Sequence, residues 1–99
     1  MWTAELLHPR RTFELGLEPY TIGREGSAVD LVIQGKLISR VHAILRPVRL
    51  DGRETHPCWA LEDHSRNGIF LSNRGKRMEA GAPHSLTHGD EFSLGAPGR

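Results

Sequence analysis

Short runs in which every second residue is apolar recur along the chain, and Gly, Pro, Asn or Asp separates most runs from the next. This alternation is typical of β-strands that bury one face, whereas no stretch keeps the spacing of an amphipathic helix. Many short strands between frequent turn residues are typical of a β-sandwich. We therefore predict an all-β fold with eight strands: Trp2–Leu7, Thr12–Leu15, Tyr20–Gly23, Leu31–Ile33, His42–Arg46, Trp59–Glu62, Ile69–Leu71 and Glu91–Leu94. Two shorter strands are predicted near Lys76–Met78 and His84–Leu86.

The length of the chain limits it to one compact unit. Ninety-nine residues can bury a modest core but cannot form a cofactor domain beside a substrate domain. We therefore expect a single domain over residues 1–99. The only cysteine, Cys58, cannot form an internal disulfide, and no apolar run is long enough for a signal sequence or a membrane span. The chain is accordingly expected to be intracellular, without membrane contact.

The net charge excludes a strong attraction to polyanions. A formal net charge of +1 gives the chain no strong overall electrostatic attraction to nucleic acid or an anionic membrane. Arg74, Lys76 and Arg77 form a small basic cluster, but the nearby Glu79 favours a solvated hairpin over a nucleic-acid surface. Only two of the 13 basic residues are lysines. The others are arginines, a bias that genome composition or local phosphate binding can equally produce.

Polar residues gather in the loops that adjoin three predicted strands. Gly23-Arg24 ends one strand, Ser39-Arg40-Val41-His42 leads into another, and Asn67-Gly68 precedes a third. Loops at the edge of a rigid sheet scaffold commonly carry binding residues. Two arginines, a hydroxyl and an amide at one edge suit a tetrahedral dianion. We interpret that dianion as a phosphorylated side chain.

The order of these fragments along the whole chain carries more information than any one of them. The series is Gly23-Arg24, Ser39-Arg40-Val41-His42, Asn67-Gly68 and Asn73, followed by Leu86–Phe92 and Gly95. With these spacings the chain resembles the forkhead-associated (FHA) domain over nearly its full length. The resemblance implies a β-sandwich of the type shared by SMAD and FHA domains, with about ten to eleven short strands. It also implies that loops at one end bind phosphothreonine in partner proteins, without a cofactor.

The loop residues receive roles in such a site. Arg24, Ser39 and Arg40 offer two guanidinium groups and a hydroxyl donor to one phosphate. Asn67 can donate and accept, so it can hold the backbone of an extended peptide, although Asn-Gly is equally a hairpin signal. By resemblance Arg66 is a further phosphate contact, and a solvated loop arginine remains the alternative. The resemblance also assigns structural support of the site to Gly23, His42, Gly68 and Asn73.

Two other classes of function remain open at this level. The same fold could be a phosphate-independent docking or oligomerisation domain, but the complete phosphate-binding set disfavours that class. Ser39 and His42 are three residues apart and could form the nucleophile and base of a small hydrolase. Residues that flank the start of a strand rarely align for proton transfer, and no acidic orienter or oxyanion motif accompanies them. We therefore expect a binding module and no enzyme activity.

The histidine spacing does not favour a metal site. His84 and His88 are four residues apart, which brings two ligands together only on a helix. The intervening Ser85-Leu86-Thr87 and the following Gly89 predict a strand and a turn instead. We expect no bound metal.

Two departures from the FHA pattern affect the expectations. Threonine often follows Asn-Gly in the family, whereas Ile69 stands here, so a packing contact or hydrogen bond common in relatives must be replaced. The chain also ends soon after Leu94-Gly95, where relatives usually continue into a closing strand beside the first one. The sequence therefore leaves open that these 99 residues are a fragment of a longer protein that lacks the final strand.

Overall fold

A computed structural model describes residues 3–7, 11–14, 18–48, 58–71, 76–79, 82–86 and 89–96. Every regular element within these residues is a β-strand, which confirms the all-β prediction. The strands are β1 (Thr3–Leu7), β2 (Arg11–Glu14), β3 (Tyr20–Gly23), β4 (Leu31–Val32), β5 (Ala43–Val48), β6 (Cys58–Asp63), β7 (Ile69–Leu71), β8 (Lys76–Arg77), β9 (His84–Leu86) and β10 (Glu91–Leu94).

The strands form two mixed sheets of five strands each. The first sheet has the order β2-β1-β10-β7-β8, and the second has the order β4-β3-β5-β6-β9. Most neighbours are antiparallel, but β1 pairs with β10 in parallel, with Leu6 opposite Phe92. β3 and β4 form the other parallel pair, with Ile22 opposite Leu31. β1 thus lies between β2 and β10.

Every predicted strand has a counterpart, and the largest difference in bounds is at β5. This strand runs through Pro47 to Val48, two residues beyond the predicted end at Arg46. Proline cannot donate a hydrogen bond to a neighbouring strand, so it normally ends a central strand. β3 pairs with β5 only as far as Leu45, however, so among the described residues Pro47 is paired with β6 alone. The predicted hairpin tip at Arg53–Pro57 and the loop Asn73–Gly75 lie outside the described residues.

The core lies between the two sheets, because both contribute side chains with almost no exposed surface. β7 shows the underlying pattern, since Ile69 and Leu71 are buried while Phe70 between them is half-buried. Trp59 on β6 is the largest fully buried side chain. The buried hydrophobic residues of this core are Leu6, Ile22, Ile33, Ile38, Ala43, Leu45, Trp59, Leu61, Ile69, Leu71, Met78, Leu86 and Phe92. Burial of one such large aliphatic side chain contributes about 1.5–3 kcal/mol.

Connections between strands bring three loops to one end of the sandwich. Ile22 near the end of β3 lies opposite Ala43 at the start of β5, so the two flanking loops share that end. The chain then crosses between the sheets after β6, where His64 N–H donates to the His42 carbonyl (3.0 Å). Buried Ile38 anchors the loop between β4 and β5 in the core. The predicted polar residues lie on these loops.

Candidate functional site

Gly23 and Arg24 hold the end of β3 against the loop that precedes β5. The Arg24 N–H donates to the carbonyl groups of Ser39 (3.0 Å) and Arg40 (3.2 Å). A Cβ atom at Gly23 would overlap the Arg40 carbonyl group, so this close approach requires glycine. The end of β3 therefore brings Arg24 beside Ser39 and Arg40.

His42 is fully buried and joins two of the loops. Its Nδ1 accepts a hydrogen bond from the Ser39 backbone N–H (3.1 Å), and its Nε2 lies 2.7 Å from the Gly68 carbonyl oxygen. A backbone N–H can only donate and a carbonyl oxygen can only accept, so Nε2 carries the proton and the ring is neutral. The neutral imidazole thereby ties the Ser39 loop to the loop between β6 and β7.

The surroundings of His42 favour this neutral form. Burial lowers the pKa of His42, since a charged imidazolium loses its hydration there. The hydrogen bond to Gly68 and the charge of Asp63 oppose the shift, whereas the charge of Arg77 adds to it. Protonation of Nδ1 would also remove the acceptor for the Ser39 N–H.

Mild acid is expected to destabilise the domain more steeply than it destabilises a His42→Ala variant. The pKa of His42 lies below 6.5 in the folded state, whereas the unfolded chain has the ordinary value. The unfolded state therefore binds the proton first. The contribution of His42 to the free energy of unfolding is complete above about pH 6.5 and is lost as the pH falls toward the lowered folded-state pKa.

Urea unfolding of both proteins between about pH 7 and pH 5 measures this difference. The pKa of Glu62 is also lowered, by hydrogen bonds from His64 and Arg46, but from an ordinary value of 4.5, so its titration lies below this window. Identical pH dependence in the two proteins would contradict the prediction.

The Ser39 hydroxyl is oriented by the backbone of the neighbouring loop. Its Oγ accepts a hydrogen bond from the Arg66 N–H (3.0 Å), which leaves the hydroxyl hydrogen to donate to a ligand. Both nitrogens of His42 are already engaged, by the Ser39 N–H and the Gly68 carbonyl. The ring therefore has no free nitrogen to take a proton from the Ser39 hydroxyl, as a hydrolase would need.

Asn67 is fixed by the loop that precedes β5. Its Nδ2 donates to the Leu37 carbonyl oxygen (3.1 Å). The second Nδ2 hydrogen and the Oδ1 atom are left to donate and accept. Leu37 in turn packs at Gly95, where a Cβ atom would collide with it. Asn67 thus holds two loops together and still has both kinds of polar group for an extended peptide.

The turn at Gly68 depends on residues that the sequence analysis did not single out. Gly68 has a φ of 98°, a conformation that favours glycine. Its N–H donates to Ser65 Oγ (2.7 Å), while the Ser65 N–H and hydroxyl both donate to Asp63 Oδ1. Its carbonyl accepts from the Gly95 N–H (2.9 Å) as well as from His42. The spacing of Asp63 and Ser65 is a turn signal that could have identified this support.

Three arginines on the loops that meet at Ser39 have no partner for their charge among the described residues. The side chains of Arg24, Arg40 and Arg66 are exposed, and within the described part of the chain none makes a hydrogen bond or an ion pair. Arg46, away from the site, is different because its Nε lies 2.7 Å from Glu62 Oε2. Arginines without an ion-pair partner, on loops that also carry a hydroxyl donor, suit an anion with several acceptor oxygens.

Comparison with known proteins agrees with this arrangement. The family model of the FHA domain matches residues 20–95. The chain belongs to the FHA domain family. Its fold is similar to the MEK1 FHA domain in complex with a HOP1 phosphothreonine peptide, with 26% identity and a TM-score of 0.70 over 85% of this chain and 80% of that chain.

Two further FHA structures are similar to this FHA domain. The MEK1 FHA domain alone shares 25% identity at a TM-score of 0.72, over 87% of this chain and 70% of that chain. The yeast Dun1 FHA domain, in complex with a doubly phosphorylated peptide derived from Rad53 SCD1, shares 26% identity at a TM-score of 0.65, over 87% and 60% of the two chains. No curated protein sequence matches the chain.

The remaining sequence expectations for this FHA domain concern Ile69, Asn73 and the candidate metal ligands. Ile69, which replaces the common threonine, is fully buried in the core. Asn73, expected to support the site, and His88, one of the candidate metal ligands, lie outside the described residues. Among the residues with described positions, no group of three or more His, Cys, Asp or Glu could hold a metal ion. No helix in that part of the chain has the length and apolar character to cross a membrane.

Proposed function

We propose that this FHA domain binds threonine-phosphorylated segments of partner proteins. The observation that carries the proposal is that Arg24, Arg40 and Arg66 lie on the loops that meet at Ser39, with exposed side chains that have no ion-pair partner among the described residues. A phosphorylated side chain is nearly a dianion at neutral pH and has three acceptor oxygens. The phosphothreonine peptides held by the solved MEK1 and Dun1 FHA domains support the same ligand class.

Each site residue has a role in this proposal. Arg24, Ser39 and Arg40 donate hydrogen bonds to the phosphate, and Arg66, whose N–H contacts Ser39 Oγ, is a further contact. Asn67 holds the peptide backbone with the amide groups that its bond to Leu37 leaves unused. The supporting positions are Gly23, His42, Gly68 and, outside the described residues, Asn73.

The proposed activity is binding alone. Catalysis by Ser39 and His42 would need an imidazole nitrogen within reach of the hydroxyl, and both nitrogens are held by backbone groups. A phosphate-independent docking domain on the same fold is the main rival. In that case the unpaired arginines would have no specific ligand.

The test compares one threonine peptide in its phosphorylated and unphosphorylated forms by calorimetry. Charge-assisted hydrogen bonds contribute about 1.5–3 kcal/mol each, so loss of the phosphate should weaken binding at least about a hundredfold. The sequences of the peptides come from a phosphothreonine peptide library screened on the domain. Equal affinity for the two forms would reject the proposal and favour the docking domain.

A further inference from the structure

The side chain of Arg77 on β8 lies across the turn that carries Asn67. Its Nη2 donates to the Arg66 carbonyl oxygen (3.3 Å). Its Nε and Cδ atoms lie against Gly68, where a Cβ atom would collide with both. Arg77 therefore contacts the residue before Asn67 and the residue after it.

The bond from Arg77 holds a group that the other bonds of this loop leave free. The Arg66 N–H donates to Ser39 Oγ. The Asn67 side chain donates to the Leu37 carbonyl oxygen. The Arg66 carbonyl oxygen is bonded by Arg77 alone among the described residues. That carbonyl belongs to the peptide group that leads into Asn67, and a peptide group rotates as one planar unit. Arg77 thus fixes the direction in which the chain enters Asn67.

The direction of the chain at Asn67 matters because the carboxamide needs a fixed orientation. One Nδ2 hydrogen is bonded to Leu37, and the other hydrogen and Oδ1 are left for the backbone of a peptide. A binding group that is ordered only when the ligand arrives weakens the affinity by the cost of that ordering. The guanidinium group stays charged at any physiological pH, so its bond to the loop does not depend on protonation.

Strand pairing places Arg77 at this turn. Arg77 lies opposite Phe70 in the antiparallel pair of β7 and β8, and Phe70 follows Gly68 by two residues. The charge of Arg77 also contributes to the lowered pKa of His42, whose Nε2 donates to the Gly68 carbonyl oxygen. The sheet, and not the loop itself, therefore sets the position of Arg77.

We propose that Arg77 is a positioning residue for Asn67. It holds the Arg66 carbonyl oxygen and packs on Gly68, and it thereby presents the Asn67 carboxamide to the backbone of the phosphothreonine segment without contacting that segment. This inference rests on the proposed function, because it concerns the same binding site.

A double-mutant cycle separates this role from a direct contact with the ligand. Arg77→Met keeps an unbranched stem and removes the guanidinium group. It should weaken binding of a phosphothreonine peptide by about fivefold in the wild-type background, and by less than about twofold in the Asn67→Ala background. Calorimetry on the wild-type domain, the two single variants and the double variant gives the four affinities. Equal losses in both backgrounds, or no loss while Asn67 is present, would overturn the inference.

Arg46→Met is the control for the loss of a positive charge. It removes an exposed arginine that is paired with Glu62, and its affinity should stay within about twofold of the wild-type value. Both substitutions replace exposed side chains, so both variants are expected to stay folded, which thermal unfolding checks. A loss in Arg46→Met as large as that in Arg77→Met would contradict the proposal, since general charge would then explain both.

A nuclear magnetic resonance measurement without peptide tests the positioning directly. The Nδ2 hydrogen of Asn67 that is bonded to Leu37 should shift less with temperature than the other Nδ2 hydrogen. This difference should shrink in Arg77→Met and keep its wild-type size in Arg46→Met. A wild-type difference in Arg77→Met would reject the positioning role. Failure of the proposed function is distinguishable, because the wild-type domain would then bind the phosphorylated and unphosphorylated peptides equally, whereas this measurement involves no peptide.

Discussion

Replacement of Arg24 by alanine is expected to weaken binding of a phosphothreonine peptide at least about a hundredfold and to leave the fold intact. The guanidinium group of Arg24 can donate two parallel hydrogen bonds to phosphate, each contributing about 1.5–3 kcal/mol. Its role in the fold is carried by the backbone, because the bonds to Ser39 and Arg40 come from the Arg24 N–H. Alanine keeps that N–H. Calorimetry gives the affinity, and thermal unfolding gives the stability.

Arg46→Ala is the matched control for this substitution. It removes another exposed arginine, which lies on β5 and has its charge paired with Glu62. Its affinity for the phosphopeptide is expected to stay within about twofold of the wild-type value, since a distant surface charge contributes little to binding. A large fall in the melting temperature of Arg24→Ala, or equal losses of affinity in both variants, would show that Arg24 acts through the fold or through general charge.

Replacement of His42 by alanine is expected to lower the free energy of unfolding by about 2–4 kcal/mol. The substitution leaves a cavity where a fully buried ring stood and removes the acceptor for the Ser39 N–H. The Gly68 carbonyl oxygen keeps its hydrogen bond from the Gly95 N–H. The loss of stability is therefore smaller than if both the Ser39 N–H and the Gly68 carbonyl were left without a partner. For a domain of this size the melting temperature should fall by roughly 10 °C or more.

His64→Ala provides the comparison for His42→Ala. His64 lies two residues before Arg66, its side chain is 46% exposed, and among the described residues its ring is hydrogen-bonded to Glu62 alone. Surface substitutions of this kind usually change stability by less than about 0.5 kcal/mol. If the two variants melt at the same temperature, His42 is not a structural link between the loops.

The β-strands were predictable because the alternation of apolar residues and the turn residues between strands are both visible in the local sequence. Ile69 and Leu71 flank half-buried Phe70 in β7 as the alternation predicts. The strand ends were harder to predict, because they depend on the neighbouring strand. Pro47 lies within β5 because β3 pairs with β5 no further than Leu45. The residues around Pro47 in the sequence do not indicate where that pairing ends.

The polar residues of the site were also identifiable, although their partners were not. Gly23 stood out beside Arg24, but the reason that it must be glycine is the carbonyl of Arg40, more than ten residues away along the chain. Asn67 stood out as a carboxamide at a turn, yet the Leu37 carbonyl that orients it belongs to another loop. Such partners become neighbours only when strands that are distant in the sequence pair and the loops at their ends meet.

The sequence by itself determined the all-β class, the approximate positions of the strands and the order of the polar loop residues, because these follow from local periodicity and side-chain chemistry. Only the tertiary structure decided which groups remain free to bind a ligand. Ser39 and His42 offered a nucleophile and a base in sequence, but the folded loops engage both ring nitrogens with backbone groups. Arg77 belonged to a basic cluster that the sequence assigned to a solvated hairpin, but in the folded chain its Nη2 donates to the Arg66 carbonyl oxygen. Hydrogen bonds between distant residues set these outcomes, and a chain forms them only after its loops meet.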